Sequence, residues 1–300
     1  MPTIDQIVAR IPDWSGRTIE SEPVPGGLTN QNYRVAVDGT SYFVRIPGPA
    51  TALLAIDRVN EAHNTQAAAA AGVGPRVIHH FPDLDVLVLE WLEARTMSNT
   101  TLAAPGMPTR IAQSLRRLHA GPRFKLDFDM VDLAGRYLGV ADDVRATIPA
   151  GYRQRLPVVP RIAAALAARP MPSVPCHNDL LAQNYLDDGT RLWLVDYEYS
   201  GNGDPAFELG NTCQELGFDE DRIVELCAAY FGQADPALLA RMRLQMIMSD
   251  VGWTLWAAIQ ARVSTIDFDF DGWADERWVR AATALDSQDF GGWLVDAAAG

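Results

Sequence analysis

The strand-like and helical patterns of this 300-residue chain fall in separate parts of the sequence. Near the N-terminus, Asn32–Val37 and Ser41–Ile46 read as strands, and the Asp38-Gly39 dipeptide between them is typical of a two-residue hairpin turn. The next segment, Asp57–Ala71, is rich in alanine and lacks glycine and proline, which predicts a helix. A buried strand is predicted over Asp85–Leu92. The pattern indicates one sheet with one helix packed on it.

From about residue 95 onward, apolar residues recur with helical periodicity. The segments that show it are Thr109–His119, Met130–Leu138, Arg161–Ala168, Arg222–Phe231 and Ala237–Arg262. A polar region over residues 176–208 lies between them and contains one strand-like stretch, residues 191–197. Strands followed by helices are typical of the α+β class. We therefore predict two lobes: a small antiparallel-sheet lobe with one helix over residues 1–92, and a larger, mostly helical lobe over residues 93–300.

Charge and composition exclude several classes of protein. The formal net charge is −13, and Lys125 is the single lysine, so the chain should repel nucleic acid and anionic membranes. No apolar run approaches the ~20 residues that a membrane span needs, and the N-terminus does not resemble a secretory signal. Three cysteines without a pattern fit a reducing compartment, so the expected location is cytoplasmic. The oligomeric state stays open.

The polar region carries the residues on which the functional prediction depends. The sequence HNDLLAQN covers residues 177–184, and Asp196 follows the strand-like stretch. Phosphoryl transfer needs a positioned alcohol oxygen and a metal that neutralises phosphate charge. Asp179 could orient the hydroxyl and accept its proton, while the oxygens of Asn184 and Asp196 suit Mg²⁺. The order parallels the protein-kinase pattern H-R-D-L-x-x-x-N with a later metal-binding Asp. Each piece alone would also fit a simple turn or a strand cap.

Residues 175–211, PCHNDLLAQNYLDDGTRLWLVDYEYSGNGDPAFELGN, resemble the catalytic core of the choline/ethanolamine kinase family. This family belongs to the aminoglycoside phosphotransferase-like kinases, which have a protein-kinase-like fold. The wider group usually has glycine at the position of Asn178, so this asparagine and the Asp196-Tyr197-Glu198-Tyr199 run indicate the choline kinase branch. The resemblance extends from about residue 22 to about residue 285. It implies a kinase that uses ATP and Mg²⁺, in which Asp204 and Glu208 brace the metal-binding loop.

The resemblance also implies a nucleotide site in the first lobe. The glycine-rich turn before the first strand matches the family's phosphate-covering loop, with Gly26, Gly27, Thr29 and Asn30 as its candidate residues. Arg45 stands where protein kinases have a phosphate-binding lysine, as it does in choline kinases, and its fork can hold phosphate oxygens. Glu61 is its expected partner, with Asp57 as the alternative. Glu90-Trp91-Leu92 is where adenine should pair with the backbone, so Glu90 and Leu92 complete the predicted site.

The C-terminal part is rich in tryptophan, which bears on the acceptor substrate. Trp253 and Trp256 lie one helical turn apart and project to the same face. Aromatic faces and carboxylates suit a quaternary ammonium, which has no N–H to donate. The resemblance assigns Trp253, Trp256 and Trp273 to a choline pocket, although the family usually has tyrosine at the last position. It places Glu215 near the ammonium. Two tryptophans at helical spacing could equally belong to the core.

These observations predict an ATP-dependent kinase for a small cationic alcohol, with choline or ethanolamine as the substrate. Three alternatives stay open. The same chemistry could act on another amine-bearing alcohol, such as an aminoglycoside or thiamine. The chain could be an inactive, kinase-like binding protein, although an intact set of Asp179, Asn184 and Asp196 argues against that. A protein kinase is disfavoured because no activation-loop or Ala-Pro-Glu segment follows Asp196.

Overall fold

A five-stranded antiparallel sheet forms the small lobe in the computed structural model, which describes residues 2–25, 27–48 and 53–299. Its spatial strand order is β1-β2-β3-β5-β4. The strands are β1 (Ile19–Val24), β2 (Asn30–Val37), β3 (Thr40–Pro47), β4 (Val77–Phe81) and β5 (Val86–Glu90). The predicted hairpin joins β2 to β3, with Val37 paired to Thr40. Asp38 and Gly39 both have positive φ values, 47° and 86°, as the primed turns of hairpins require.

One face of this sheet is covered by the N-terminal segment. Helix α1 (Ile4–Ala9) and a 3₁₀ turn (Pro12–Trp14) bury Ile7 and Trp14 against the apolar side chains of the sheet. Neither α1 nor β1 was expected from the sequence pattern, and β4 was also missed. All three are short or lie at the edge of the sheet, where half-exposed residues give a weak alternating pattern.

Helix α2 (Arg58–Ala70) lies between the lobes and is fixed to both of them. Asp57 accepts the Asn60 backbone N–H at 2.8 Å and is therefore the N-cap residue of this helix. Two buried amides on α2 reach the large lobe: Asn60 donates to the Ser200 carbonyl at 2.8 Å, and Asn64 donates to the Ser200 hydroxyl at 2.9 Å. The helix that carries Glu61 is therefore held in place by the large lobe.

The large lobe contains ten helices and five short strands within the described residues. Its helices are α3 (Asn99–Leu102), α4 (Met107–His119), α5 (Met130–Asp143), α6 (Tyr152–Arg155), α7 (Val159–Ala168), α8 (Pro205–Leu216), α9 (Glu220–Phe231), α10 (Pro236–Val263), α11 (Phe270–Leu285) and α12 (Phe290–Ala299). Its strands are β6 (Arg95–Thr96), β7 (Val174–Cys176), β8 (Tyr185–Asp187), β9 (Leu192–Leu194) and β10 (Gly201–Gly203). The five predicted helices correspond to α4, α5, α7, α9 and α10. None of the helices in the described part of the chain has the length and apolar character that a membrane crossing would need.

Helix α10 is the centre of the large lobe and packs against α5, α8, α11 and α12. Its 28 residues are buried on most sides, as expected for a core helix without a polar stripe. The α+β class is confirmed, with a small sheet lobe and a larger helical part. The boundary at residue 92 stays a prediction.

Helix α8 was not predicted, because the polar region was expected to run to residue 208. Its sequence, PAFELGNTCQEL, contains glycine, asparagine and threonine, which are weak helix formers. Tertiary packing overrides this preference: nearly the whole helix is buried, and Asp204 caps it by accepting the Ala206 N–H at 2.8 Å. The strand expected over residues 191–197 is also shorter and ends at Leu194, before Asp196.

Gly210 allows α8 and α10 to approach closely. A Cβ atom at this position would lie 2.8 Å from the Met242 carbonyl oxygen and 3.0 Å from the Met246 nitrogen. These are backbone atoms of a buried helix, so neither can move without displacing α10. Because α8 and α10 carry several of the predicted site residues, their spacing also matters for the site.

We predict that Gly210→Ala destabilises the protein by about 2 kcal/mol or more, because overpacking of a core typically costs about 1–3 kcal/mol. Gly135→Ala is the matched control, since Gly135 lies on the exposed side of α5 and its Cβ would meet no atom within 4 Å. The control should gain up to about 1 kcal/mol from helix propensity. Urea unfolding of both variants checks this, and equal stabilities would contradict the packing argument.

Candidate active site

The loop between β7 and β8 carries Asp179, and hydrogen bonds to Glu208 fix its backbone. The buried Glu208 carboxylate accepts the backbone N–H groups of His177 at 2.5 Å and Asn178 at 2.9 Å. Asn178 has a φ of 68°, a left-handed conformation that glycine or asparagine adopts at the lowest cost. This conformation explains why the wider group can use glycine here. Glu208 thus braces the loop of Asp179, whereas the resemblance had assigned its bracing role to the metal-binding loop.

His177 joins this loop to the segment of Asp196. Its Nε2–H donates to the Val195 carbonyl at 2.8 Å, and its Nδ1 accepts the Asp179 backbone N–H at 3.3 Å. Burial lowers the pKa of His177, which keeps the ring neutral and able to do both. The imidazole therefore sets the relative positions of Asp179 and Asp196.

The two residues expected to bind a metal, Asn184 and Asp196, both line the cavity between the lobes. Asn184 donates its amide nitrogen to the Asp179 carbonyl at 2.7 Å, which leaves its side-chain oxygen for another partner. Asp196 has a left-handed φ of 71°, and its buried Oδ1 has no hydrogen-bond partner. Removal from bulk water and the nearby Glu198 raise the pKa of Asp196 to about 7. An unpaired carboxylate oxygen in such a place fits a hard cation such as Mg²⁺.

Asp179 is itself in a strongly perturbed setting. Burial and the neighbouring charge of Asp196 raise its pKa well above the ordinary range, while Arg277 lowers it. A carboxylate with a raised pKa accepts a proton more readily. Its position and its charge environment therefore both suit a general base.

Arg45 and Glu61 come together as expected, in direct contact between β3 and α2. Arg45 is also 3.7 Å from Asp196, measured from Nη1 to Oδ1. Arg58, which was not predicted, bridges the same cluster: its Nη1 donates to Glu61 at 2.8 Å and to Glu198 at 2.7 Å. No sequence signal separated Arg58 from an ordinary exposed arginine on a helix.

The glycine-rich turn is only partly arranged as expected. Gly26 lies outside the described residues, while Gly27 lines the cavity with a φ of 94°. Thr29 donates to Glu198 at 2.8 Å, and Asn30 also donates to Glu198. The side chains of Thr29 and Asn30 are thus hydrogen-bonded to a carboxylate of the large lobe. Asn30 is not among the residues that line the cavity.

One cavity of about 270 Å³ runs between the lobes and contains most of the predicted residues. At one end it is lined by Gly27, Thr29, Arg45, Glu61, Glu90 and Leu92. The Glu90 carboxylate turns to the surface, where it accepts the Arg76 Nε–H at 2.7 Å. The middle of the cavity is lined by Asp179, Asn184 and Asp196, and the far end by Glu215 with Trp253, Trp256 and Trp273.

The far end is aromatic and belongs to the core at the same time. Trp253 and Trp256 are each 5% exposed, and both pack in the large apolar cluster of the lobe. Trp253 lies edge-on to Tyr199 at 5.0 Å between ring centroids, and Trp256 lies edge-on to Trp273 at 5.5 Å. The Trp256 indole N–H donates to the Tyr199 hydroxyl at 2.6 Å. The core and pocket interpretations of these tryptophans are therefore compatible.

Arg277 is the main residue of this end that sequence reasoning missed. It is 2% exposed, lines the cavity, and donates from Nη2 to Glu215 at 2.5 Å. Its guanidinium carbon lies 3.6 Å from the centroid of the Trp273 ring. The four-residue spacing of Trp273 and Arg277 on α11 was the signal that could have indicated a stacked pair.

Comparisons with known proteins agree with this geometry. Residues 20–282 match the sequence profile of the phosphotransferase enzyme family. The protein LicA of Haemophilus influenzae is 28% identical, with 78% of this chain and 72% of LicA aligned. Human ethanolamine kinase 2 is 27% identical over 86% of this chain and 74% of that protein.

A solved structure supports the same relationship over nearly the whole chain. The choline/ethanolamine kinase family protein from Mesorhizobium loti is 37% identical and superposes with a TM-score of 0.86. The superposition covers 98% of this chain and 97% of that protein. The similarity thus includes both lobes and the cavity between them. The chain belongs to the phosphotransferase enzyme family, in its choline/ethanolamine kinase group, and is a phosphotransferase with an alcohol group as acceptor.

Proposed function

We propose that this protein transfers the γ-phosphate of ATP to the hydroxyl of choline and releases phosphocholine. The observation that supports the proposal is one cavity lined by Asp179 and Asp196, by residues of the small lobe and by three tryptophans. Asp196 lies beside Arg45 of the small lobe, and Asp179 interacts with Glu215 and Arg277 on the aromatic side. A hydroxyl at Asp179 and an ammonium against the tryptophans would be two ends of one small alcohol. The cytoplasm, where ATP is available, is the proposed location.

Asp179 would orient the acceptor hydroxyl and take its proton as the oxygen attacks phosphorus. Asn184 and Asp196 would hold Mg²⁺, which when bound neutralises phosphate charge and favours transfer. The free side-chain oxygen of Asn184 and the unpartnered Oδ1 of Asp196 support this assignment. Glu198 is close enough to Asp196 and Glu61 to contribute a further oxygen.

On the nucleotide side, Arg45 would contact phosphate oxygens while Glu61 holds its guanidinium in place. Gly27 would let backbone N–H groups approach the phosphates, and the proposal extends to Gly26 on the sequence alone. Thr29 and Asn30 already bond to Glu198, so we assign them the task of shaping this turn. Glu90 and Leu92 would present backbone groups to adenine.

Choline is favoured over other alcohols by the aromatic end of the cavity. A quaternary ammonium is bound through ring faces, whereas an aminoglycoside carries many hydroxyl and amino groups that need polar partners. Ethanolamine is the second candidate, because human ethanolamine kinase 2 is among the relatives. Both share the proposed chemistry at Asp179 and differ at the tryptophans.

The proposal is tested by ADP release from Mg-ATP with choline, ethanolamine, thiamine or an aminoglycoside, each with and without EDTA. We expect the highest kcat/KM with choline, and complete loss in EDTA that added Mg²⁺ reverses. A higher kcat/KM with another acceptor would keep the kinase chemistry and contradict the choline assignment. ATP binding without turnover on any acceptor would favour a binding protein.

We predict that Asp179→Asn lowers kcat by about 10²-fold or more, because general-base catalysis contributes about 10²–10⁴-fold. The amide keeps the shape of the side chain, so ATP affinity measured by calorimetry should change little. Asp132→Asn, at an exposed position on α5, is the matched control and should keep wild-type kcat. Near-normal turnover by a folded Asp179→Asn variant would contradict the base assignment.

We predict that Trp256→Leu raises the KM for choline about tenfold or more and changes the KM for ATP less than about twofold. The reason is the loss of one aromatic face, since a desolvated cation–π contact is worth about 2 kcal/mol. Trp193→Leu is the control, because Trp193 is half-buried on β9 outside the cavity. Equal losses for both substrates would assign Trp256 to the core alone.

A further inference from the structure

A buried arginine already occupies the end of the cavity that is proposed to bind a cation. The Arg277 guanidinium stacks on Trp273 at 3.6 Å and donates to the Glu215 carboxylate at 2.5 Å. Glu215 is therefore neutralised by a residue of the protein itself. A substrate ammonium that approaches this wall meets an ion pair rather than a free carboxylate.

This pairing affects primary and quaternary ammonium groups differently. A primary ammonium has three N–H donors, each of which needs an acceptor once it leaves water, whereas a quaternary ammonium has none. Glu215 and Tyr199 are two acceptors that line the cavity beside these aromatic rings, and the nearby Asp179 is engaged by the acceptor hydroxyl in the proposed function. Glu215 already accepts from Arg277, and Tyr199 accepts from Trp256 at 2.6 Å. A primary ammonium would meet a carboxylate whose charge is already compensated and whose Oε2 is already engaged, so its hydrogen bonds here would be weaker than those to a free carboxylate. A trimethylated ammonium needs no such bonds.

The need to attach α11 to the rest of the lobe does not by itself explain why Arg277 is buried in the cavity wall. One turn further along α11, Arg280 donates to the fully buried Asp250 at 2.6 Å and ties the helix to α10 away from the cavity. The Arg277 pair is less complete, because its Nε is buried without a hydrogen-bond partner. An incompletely satisfied buried group in a cavity wall calls for an explanation other than stability.

We propose that Arg277 determines the acceptor preference: by holding Glu215 in an internal ion pair, it selects a quaternary ammonium over a primary one. This inference rests on the proposed function, because it assigns a specificity role within the same site. Without Arg277, Glu215 would be a free carboxylate able to accept N–H groups from a primary ammonium.

The first test uses the wild-type protein and a series of acceptors that differ by one N-methyl group: ethanolamine, N-methylethanolamine, N,N-dimethylethanolamine and choline. We expect kcat/KM to rise at each step and to be at least about tenfold higher for choline than for ethanolamine. An unpaired donor typically costs about 1–3 kcal/mol, which is ample for this ratio. A flat or falling series would overturn the inference.

The second test compares Arg277→Gln with Arg277→Lys, which keeps the charge, and with Arg280→Gln, which breaks the neighbouring pair outside the cavity. Arg277→Gln should lower the choline-to-ethanolamine ratio of kcat/KM by about tenfold, chiefly through a lower KM for ethanolamine. The other two variants should stay within about threefold of the wild-type ratio. An unchanged ratio in folded Arg277→Gln would overturn the inference, as would an equal shift in Arg280→Gln.

The two proposals fail in different ways. A wild-type protein that phosphorylates no member of the methyl series contradicts the proposed function. An active wild-type protein with a flat series, or with a ratio that Arg277→Gln leaves unchanged, contradicts only the role of Arg277. Should Arg277→Gln not fold, as judged by circular dichroism, Arg277→Met, which fills similar space without a charge, takes its place, and an unchanged ratio in that variant would overturn the role of Arg277.

Discussion

The site depends on a buried cluster of charges that joins the two lobes. Arg45 and Arg58 from the small lobe contact Glu61 on α2 and Glu198 of the large lobe. Burying these charges separately would cost several kcal/mol each, so the cluster is stable only while the lobes are together. Removing one partner, such as the positive charge of Arg58, would leave a buried carboxylate with less positive charge to balance it. The same contacts that close the cavity thus place Arg45 beside Asp196.

This cluster leaves a negative excess at its edge, which fits the proposed metal site. Asp196 lies 3.7 Å from Arg45, which also contacts Glu61, and Asp179 has no arginine at ion-pair distance among the described residues. Both aspartates have raised pKa values. A divalent cation would supply the missing positive charge, and Asn184, whose amide nitrogen is used by the Asp179 carbonyl, lines the same cavity. Glu208 and His177 make the arrangement rigid from the opposite side. The catalytic loop is therefore defined by electrostatics on one face and by buried hydrogen bonds on the other.

The residues of the proposed acceptor end also stabilise the large lobe. Trp253 and Trp256 are part of the core of the large lobe, so their rings are immobilised by packing before any ligand enters. Such preorganisation lowers the entropy cost of binding. The Arg277–Glu215 pair completes this wall and balances its charge. The residues that stabilise α8, α10 and α11 are thus the same residues that shape the pocket.

Much of this could be predicted from the sequence because it depends on local spacing and side-chain chemistry. The β2–β3 hairpin, helix α2, the order of Asp179, Asn184 and Asp196, and the shared face of Trp253 and Trp256 all follow from neighbours in the chain. The roles of Arg58 and Arg277, and the commitment of Thr29 and Asn30 to Glu198, were decided only by tertiary structure. The carboxylates of Glu215 and Glu198 that they contact lie 62 to 169 residues away in sequence. A buried arginine and an exposed one look identical until distant segments pack around them. Helix α8 likewise forms against its local propensity, because burial between neighbouring elements outweighs the cost of its glycine and asparagine.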